Sequence, residues 1–384
     1  MDEKTRLIHA RGKPRPLART VGPPVQKGST VLLPNAEALY GEKLGYGRAG
    51  LEAQFTLMDA LAELEGATSV QLYPSGLAAL TGAMLAVLKA GDHLLAADSV
   101  YRPTRFFCER TLGRYGVEIE FYDPAASAES LMALVRPNTR LIVLESPGSL
   151  TFDMQDAPGI AAAARARGVL TLMDNTWGAG LLFKPLAHGV NISVQALTKY
   201  VGGHSDLFMG SAAALDPAVG EILKSGVHEL GWSVSGDDAY TALRGLRTLA
   251  TRLEQHGRSG LAVAEWLTAQ PEVTEVLHPA LPGGRGHDLW KRDYTGACGL
   301  FGFTLVPAPK AAVDAFLDAL TLFGLGFSWG GFESLAIGSD NQLSIRRFTP
   351  KLKGPLLRLH IGLEAPDDLM ADLRAGLDAF SAHL

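Results

Sequence analysis

The sequence predicts an α/β protein with a large doubly wound domain, followed by a smaller α+β domain. Over the middle of the chain, short apolar segments typical of strands alternate with segments that have helical spacing, and this alternation stops near residue 237. Strands alternating with helices are typical of a parallel sheet covered by helices. The continuous apolar run Leu141–Leu144 also indicates a strand that is buried on both faces.

The first regular element is a helix over residues 55–65, where apolar positions recur at helical spacing and Gly66 marks the end. Strands are predicted at 69–73, 92–97, 117–122, 140–145, 169–174 and 192–196, with helices at 76–89 and 101–115. The second domain is predicted to contain a helix at 239–256, strands at 299–305 and 357–363, and a closing helix at 367–380.

We expect three regions along the 384 residues, which suffice for two or three domains. Residues 1–49 are rich in Gly, Pro and Arg and have few periodic apolar positions, so we expect an extended arm that contacts a neighbouring subunit. Residues 50–245 are predicted to form the α/β domain and residues 246–384 the α+β domain. Such an arm favours a homo-oligomer over a monomer.

Composition and charge argue against several classes of protein. With 47% hydrophobic and 20% charged residues the chain is typical of a globular protein. A net charge of −5 provides no basic field for a nucleic acid. Cys108 and Cys298 are far apart and lie in no Cys/His cluster, so we expect neither a disulfide framework nor a metal site. Residues 1–12 lack the apolar core of a secretory signal, and no apolar run approaches the roughly 20 residues that span a bilayer. We therefore expect a soluble cytoplasmic protein with no membrane or nucleic-acid partner.

Four segments at predicted strand ends carry candidate functional residues, and ligands of open α/β sheets bind at those ends. The first is Tyr73–Gly76, which leads into an Ala-rich helix. The backbone amides of Gly76 and Leu77 can hold a phosphate at the positive end of that helix. The alternative is that Ser75 is an ordinary N-cap and nothing binds there.

Asp174, Lys199 and Tyr101 supply the other three groups. Asp174 ends an apolar strand and can be a cap, a metal ligand or the partner of a protonated heterocycle. Lys199 follows an apolar strand directly, where loss of solvation lowers the pKa of an amine and suits it to a Schiff base, unless it is a solvated loop lysine. Tyr101 begins a helix and can stack on a ring or simply pack.

These four groups together are what a pyridoxal-phosphate (PLP) site requires: a lysine, an acid for the pyridine nitrogen, an aromatic ring and a phosphate site. The motifs resemble those of the Cys/Met-metabolism family of PLP enzymes over nearly the whole chain. The matching segments are Tyr46-Gly-Arg48, Glu145-Ser-Pro147, Asp174-Asn-Thr176, Thr198-Lys-Tyr200 and Gly203-His-Ser-Asp206.

The resemblance implies the PLP-dependent transferase-like fold of type I and a role for each position. Lys199 and Tyr101 would be the catalytic residues, Lys199 also holding PLP and moving a proton while Tyr101 stacks on the ring. Asp174 would keep the pyridine nitrogen protonated. The phosphate would be bound by Gly76, Leu77 and Thr198, together with Tyr46 and Arg48 of a neighbouring subunit, Tyr46 also contacting the substrate. A dimer would then be the minimal active unit, and the family suggests a tetramer.

Arg358 lies in an apolar strand pattern, where a guanidinium needs an anion. The resemblance implies that it binds the substrate α-carboxylate, with Ser328 and Trp329 lining the same pocket, whereas a structural salt bridge is the alternative. In the branch of this family that cleaves a Cβ–S bond, members often have a tyrosine where this chain has Phe327. Trp177 is expected to pack near the cofactor, and His204 and Asp206 to order the lysine loop.

Within the family, Ser146–Ser149, Ser328–Gly331 and Arg358–Gly362 resemble the branch that cleaves a Cβ–S bond. The resemblance implies conversion of L-cystathionine to homocysteine, pyruvate and ammonia by α,β-elimination. The alternatives are γ-lyase or γ-synthase chemistry of the cystathionine or methionine type, an aminotransferase that shares the fold type, and a silent PLP fold with a binding role.

Overall fold

The computed structural model describes residues 20–41 and 45–384. A seven-stranded sheet has the strand order β1-β7-β6-β5-β4-β2-β3. Its strands are β1 (Ser69–Tyr73), β2 (His93–Ala97), β3 (Glu118–Tyr122), β4 (Thr139–Glu145), β5 (Leu170–Asp174), β6 (Ile192–Ala196) and β7 (Gly210–Ala214). Strands β2 to β6 pair in parallel, while β7 runs antiparallel to both of its neighbours. The predicted α/β class is confirmed by this sheet and its intervening helices.

Strand β7 is absent from the set that the sequence predicts. Its sequence, Gly-Ser-Ala-Ala-Ala, has no β-branched or aromatic residue, yet all five residues are buried. A Cβ at Gly210 would lie 2.4 Å from the carbonyl oxygen of Ser75 and 2.8 Å from the Cα of Gly76. The small residues therefore allow the helix after β1 to approach the sheet closely, which a propensity argument does not reveal.

Seven helices of the described residues accompany this sheet. They are α1 (Glu52–Glu65), α2 (Gly76–Val87), α3 (Arg102–Phe106), α4 (Ala128–Met132), α5 (Ala157–Ala166), α6 (Pro217–Glu229) and α7 (Gly236–Leu246). Helix α1 ends at Gly66, which has a φ of 67°, at the predicted position. After α3 the chain continues through a π-helical turn and a 3-10 turn to Tyr115, so the predicted helix over 101–115 is irregular.

A five-stranded sheet follows, in the order β10-β11-β12-β9-β8. Its strands are β8 (Val273–Leu277), β9 (Leu300–Leu305), β10 (Gly324–Leu325), β11 (Leu335–Gly338) and β12 (Leu356–His360). The accompanying helices are α8 (Leu249–Thr268), α9 (His287–Asp293), α10 (Lys310–Ala319), α11 (Asp340–Leu343) and α12 (Pro366–Ser381). Strand β12 ends at His360, three residues before its predicted end.

The single helix predicted over 239–256 is two helices, because the chain breaks between α7 and α8. The backbone carbonyl of Gly245 accepts hydrogen bonds from the amide of Thr248 and the guanidinium of Arg252. A Cβ at Gly245 would lie 2.3 Å from the carbonyl oxygen of Val201, so the end of α7 packs directly on another loop. Long-range contacts of this kind, which local periodicity does not reveal, interrupt the helix.

The described residues contain two hydrophobic clusters, each mainly at one of the two sheets. Helix α8 contributes to both, with Leu249 and Leu253 in the first cluster and Val263 and Leu267 in the second. The domain boundary after residue 245 stays a prediction. Among the residues that the structure describes, no helix is both long and apolar enough to span a membrane.

The carboxylate of Asp372 in α12 fixes the loop between α10 and β10. It accepts hydrogen bonds from the hydroxyl of Thr321 at 2.7 Å and from the amides of Thr321, Leu322 and Phe323. Burial alone raises the pKa of Asp372, but these hydrogen bonds outweigh it and the pKa lies below the usual value. The ionised form is therefore the one that stabilises the fold.

We expect Asp372→Asn to lower the free energy of unfolding by about 1–3 kcal/mol at pH 7, because buried donors lose an acceptor. A carboxylate with a lowered native pKa stabilises the fold above its unfolded pKa of about 3.9, and this contribution disappears as the pH falls through the native value. Urea unfolding at several pH values should therefore show a difference that shrinks below about pH 4. Asp378→Asn, at an exposed position of the same helix, is the control, and an equal loss in both variants would contradict the assignment.

Candidate active site

The carboxyl ends of three neighbouring strands bring the predicted acid and lysine together. Glu145 and Asp174 are register partners at the ends of β4 and β5, and Lys199 lies three residues beyond β6. Parallel strands end at the same edge of a sheet, so these side chains share one region. Strand order thus gathers residues that are far apart in the sequence.

Among the described residues, only one oxygen of the Asp174 carboxylate accepts hydrogen bonds. Its Oδ1 accepts hydrogen bonds from the amide of Thr176 at 3.0 Å and from the hydroxyl of Thr176 at 2.5 Å. The same hydroxyl accepts a hydrogen bond from the amide of Ala196, which ties the turn to β6. Burial raises the pKa of Asp174, while the bonds from Thr176 and the charge of Lys199 oppose this. Within the described residues Oδ2 has no hydrogen bond, and it is the oxygen available to a ligand.

The Lys199 amine lies between the sheet and the segment that precedes β11. Its Nζ donates a hydrogen bond to Ser328 Oγ at 3.0 Å and lies 5.4 Å from the centroid of the Trp329 ring. Burial lowers its pKa to about 8, helped by the positive charge of Arg358 and opposed by Asp174. The unprotonated amine, which is the nucleophilic form, is therefore accessible near neutral pH.

The start of α2 offers free amides at the same edge. Ser75 is the N-cap, because its Oγ accepts a hydrogen bond from the amide of Ala78 at 3.0 Å, while the amides of Gly76 and Leu77 have no acceptor among the described residues. The N-cap and the phosphate interpretations are thus compatible. The hydroxyl of Thr198 bonds to the backbone of Met209, which places it at the entry to β7.

The Arg358 guanidinium is buried without a carboxylate. It is 7% exposed, and its NH2 group donates to the carbonyls of Gly326, Phe327 and Ser328 at 3.0–3.2 Å. Its Nε is buried without a partner, and among the described residues no ion pair includes it. Burial lowers its pKa to about 10. The structural salt bridge is therefore absent from the described residues, and the guanidinium has bonding capacity left for an anion.

The Tyr101 ring is 46% exposed, and its backbone amide donates a 2.6 Å hydrogen bond to Glu145 Oε2. Burial raises the pKa of the Tyr101 hydroxyl, with Glu145 and Asp174 adding to the effect and Arg358 opposing it. Glu145 is part of a sequence motif, but the motif did not predict this role. Its position at the end of β4, next to Asp174, was the signal that could have identified it.

A second buried network, also missed, anchors the turn before Tyr101. Asp98 is fully buried and accepts a 2.5 Å hydrogen bond from Arg105, and its second oxygen accepts the amides of Arg347 and Phe348 at 2.7 Å each. The neighbouring guanidinium of Arg346 donates to the hydroxyl of Thr151 at 2.7 Å. The segment between α11 and β12 is thereby joined to the turn at the carboxyl end of β2.

Tyr46 and Arg48 are not brought to this cluster within the chain. Both are exposed, and the Arg48 guanidinium lies 5.3 Å from the centroid of the Tyr46 ring. They line a surface groove with residues of the arm and with Ser233 to Asp237. His204 bonds within its own loop to the carbonyl of Gly202, and Trp177 is buried and donates to the carbonyl of Leu300.

The arrangement fits PLP on the features of the described residues alone. A desolvated amine, a carboxylate oxygen without a hydrogen bond, free amides at a helix start and an exposed aromatic ring surround one sheet edge. A buried guanidinium without an anion lies on the same side of Lys199 as Ser328. The fold and site thus define a PLP-dependent enzyme of fold type I.

Comparison with known proteins gives the family. The chain matches the family described as Cys/Met metabolism PLP-dependent enzyme over residues 4–378, and it belongs to that family. It is 46% identical to the cystathionine beta-lyase of Bordetella avium, over 87% of this chain and 83% of that protein. It is 41% identical to the cystathionine beta-lyase MetC of Escherichia coli strain K12, over 97% of each chain. The crystal structure of cystathionine gamma synthase from Xanthomonas oryzae pv. oryzae with aminoacrylate and cysteine aligns with a TM-score of 0.87 and 32% identity, covering 95% of this chain and 94% of that one.

The Lys199 site predicts two pKa shifts of opposite sign. Arg358 disfavours the protonated amine and Asp174 favours it, so Arg358→Gln should raise the pKa of Lys199 above about 8 and Asp174→Asn should lower it further. The pH dependence of acylation of this amine in the apoenzyme, followed by peptide mass spectrometry, measures both shifts. A wild-type midpoint near the ordinary value of 10.5, or shifts in the same direction, would contradict this electrostatic account.

Proposed function

We propose that this protein is a PLP-dependent carbon–sulfur β-lyase that cleaves L-cystathionine to homocysteine, pyruvate and ammonia. The observation that carries the proposal is the buried Arg358 guanidinium, which has no carboxylate among the described residues and acts electrostatically on Lys199. An amino-acid substrate supplies both the missing carboxylate and an amine for exchange. Identities of 41–46% with proteins named cystathionine beta-lyase, against 32% with a gamma synthase, favour the β branch.

Lys199 holds the cofactor and later moves the proton at the substrate Cα. Its pKa near 8 allows the freed amine to accept that proton in the manner of a general base. When PLP is bound, it supplies the electron sink for the negative charge that develops at Cα. Asp174 Oδ2 would keep the pyridine nitrogen protonated, while Thr176 keeps the carboxylate in place for this task.

The substrate is oriented by the segment before β11 and by strand β12. Arg358 binds the α-carboxylate through two of its donors, while its contacts with the carbonyls of Gly326, Phe327 and Ser328 fix the guanidinium plane. Ser328 takes the hydrogen bond of the Lys199 amine, and Trp329 closes the same side. The exposed ring of Tyr101 would stack on the cofactor and contact the reacting group.

The amides of Gly76 and Leu77 and the hydroxyl of Thr198 would hold the phosphate of PLP. Tyr46 and Arg48 complete the site from a neighbouring subunit, and Tyr46 also contacts the substrate, so a homodimer is the minimal active unit and a homotetramer its doubled form. Exposed apolar residues of the described arm support such an interface: Val21, Leu32, Leu39 and Tyr40 are 60–95% exposed. Residues 1–19 and 42–44 of the predicted arm lie outside the described residues.

Residues 50–245 form the cofactor domain in this proposal, and residues 246–384 the C-terminal domain. The proposed compartment is the cytoplasm, which agrees with two cysteines that are both free and buried. The second candidate activity is γ-elimination or γ-replacement, which the same lysine and cofactor support; the products of the reaction distinguish the two.

Purified enzyme with PLP and L-cystathionine should release pyruvate and homocysteine in equal amounts. Lys199→Ala should abolish both products, because no other group in the proposal can hold the cofactor and transfer the Cα proton. A coupled dehydrogenase measures pyruvate and a chromogenic reagent measures thiol, with Lys351→Ala as a control at an exposed position. Appearance of 2-oxobutyrate and cysteine instead would retain the family and move the protein to the γ branch.

Arg358→Lys should raise KM roughly ten- to hundredfold, because a point-charge ammonium loses the bidentate contact with a carboxylate. Arg374→Lys is the matched control, since Arg374 also pairs with a carboxylate, that of Glu272, but belongs to helix α12 and, within the described residues, contacts none of the proposed site residues. Steady-state kinetics of the two variants test this step. An unchanged KM in Arg358→Lys would show that the substrate carboxylate binds elsewhere.

A further inference from the structure

The loop Ser328–Gly331 lies directly on the backbone of Lys199. Gly330 has a φ of +84°, and a Cβ there would lie 2.8–2.9 Å from the amide nitrogen of Tyr200 and from the Cα and carbonyl carbon of Lys199. Only glycine permits both this conformation and this approach. The loop carries Ser328, which accepts from Lys199 and bonds to Arg358 through its carbonyl, so its position controls both functional side chains.

The buried side chain of His360 contacts the backbone of this loop. His360 is fully buried, and its Nε2 lies 3.1 Å from the amide nitrogen of Gly330 and 3.1 Å from the carbonyl oxygen of Gly331. It follows Arg358 by two positions in β12, so the two side chains lie on the same face of the strand. In the proposed roles above, His360 contacts neither cofactor nor substrate.

A second buried histidine, His256, packs beside His360. His256 Nδ1 lies 2.8 Å from the carbonyl oxygen of Ile361, which can only accept, so Nδ1 is protonated and Nε2 carries a lone pair. Both His256 Nε2 and His360 Nδ1 are buried without a partner among the described residues, and the two ring centroids are 5.2 Å apart. No hydrogen bond joins the two rings among the described residues, so the tautomer of His360 follows from the bond to the Gly330 amide: that amide can only donate, which requires the lone pair on Nε2 and hence the proton on Nδ1.

With the proton on Nδ1, His360 Nε2 is an acceptor and receives the amide proton of Gly330. Burial lowers the pKa of His360 to about 3, and the nearby His256, Arg358 and Lys199 add to this effect. Burial also lowers the pKa of His256. Both rings therefore stay neutral at physiological pH and add no positive charge beside Lys199 and Arg358.

We propose that His360 is a positioning residue for the β-lyase reaction: through Nε2 it fixes the Gly330 amide and thereby the loop that presents Ser328 to Lys199 and the backbone carbonyls to Arg358. The inference deepens the proposed function and rests on it for its kinetic consequence only. The hydrogen bond itself can be tested without any turnover. A role in packing alone would depend on ring volume and not on an acceptor at the position of Nε2.

The test compares two substitutions that differ in where they place a polar atom. The side-chain amide of His360→Gln reaches the position of Nε2, whereas that of His360→Asn ends near the position of Nδ1. The matched control is His278→Asn, because His278 is also buried and its Nδ1 accepts the amide of Ala280, a bond that asparagine can reproduce. Holoenzyme of each variant is measured by amide hydrogen exchange over residues 328–332, by PLP dissociation constant and by steady-state kinetics.

We expect exchange of the Gly330 amide to become about tenfold faster or more in His360→Asn, with kcat/KM lowered by at least a similar factor and PLP bound more weakly. His360→Gln and the control should stay within about threefold of wild type, since both keep the hydrogen bond that the histidine made. Equal losses in His360→Asn and His360→Gln would overturn the proposal, as would unchanged exchange in His360→Asn.

If His360→Asn does not fold, the wild-type enzyme and His360→Gln still test the proposed hydrogen bond. Rapid exchange of the Gly330 amide in wild-type holoenzyme would show that this hydrogen bond is absent and would overturn the proposal. Slow exchange that persists in His360→Gln would support it. If wild-type enzyme does not cleave cystathionine, the proposed function fails while the exchange and PLP-binding results continue to test His360.

Discussion

The structure depends on keeping the Lys199 amine desolvated between a guanidinium and a carboxylate. A buried ammonium is costly, and the nearby positive charge of Arg358 makes it costlier, whereas Asp174 offsets part of this cost. The resulting pKa near 8 makes the amine both available as a nucleophile and able to take up a proton later. A solvated lysine at the same position in the chain would have neither property.

Hydrogen bonds from several parts of the fold fix the loop that carries Lys199 and so maintain the environment of its amine. The buried Arg252 donates to the carbonyls of Tyr200 and Gly245 at 2.7 and 2.8 Å, joining the loop to the break between α7 and α8. Further along the same loop Ser205, in the left-handed region with a φ of 58°, donates to Glu333 at 2.5 Å. A backbone strained in this way persists only where the surroundings hold it, and here they hold the loop that carries Lys199.

Much of the sheet could be predicted from the sequence, because central parallel strands are buried on both faces and leave continuous apolar runs. The same reasoning located Asp174 and Lys199, since each directly follows such a run. Strand β7 was not predicted, because its small residues are selected by the close approach of α2 and not by strand propensity. The break before α8 was missed for a similar reason, as Arg252 and the lysine loop impose it from a distance.

The site was predicted less completely than the fold. Periodicity identifies a strand end but not which partners meet there, so the contacts of Asp98 with Arg347 and Phe348 and of Glu145 with Tyr101 emerged only from the structure. The family resemblance placed Arg358 in the pocket, but no pattern in the sequence could indicate that it is buried without a carboxylate partner among the described residues. The roles proposed for Tyr46 and Arg48 require a second subunit and stay predictions.

In the proposed enzyme, Lys199 is the amine that carries PLP. Reduction of the holoenzyme with borohydride, followed by proteolysis and mass spectrometry, identifies the lysine that retains the phosphopyridoxyl group. We predict a single labelled peptide that contains Lys199, with the label lost in Lys199→Arg. Labelling of any other lysine in the wild-type enzyme, or labelling that persists unchanged in the variant, would contradict it.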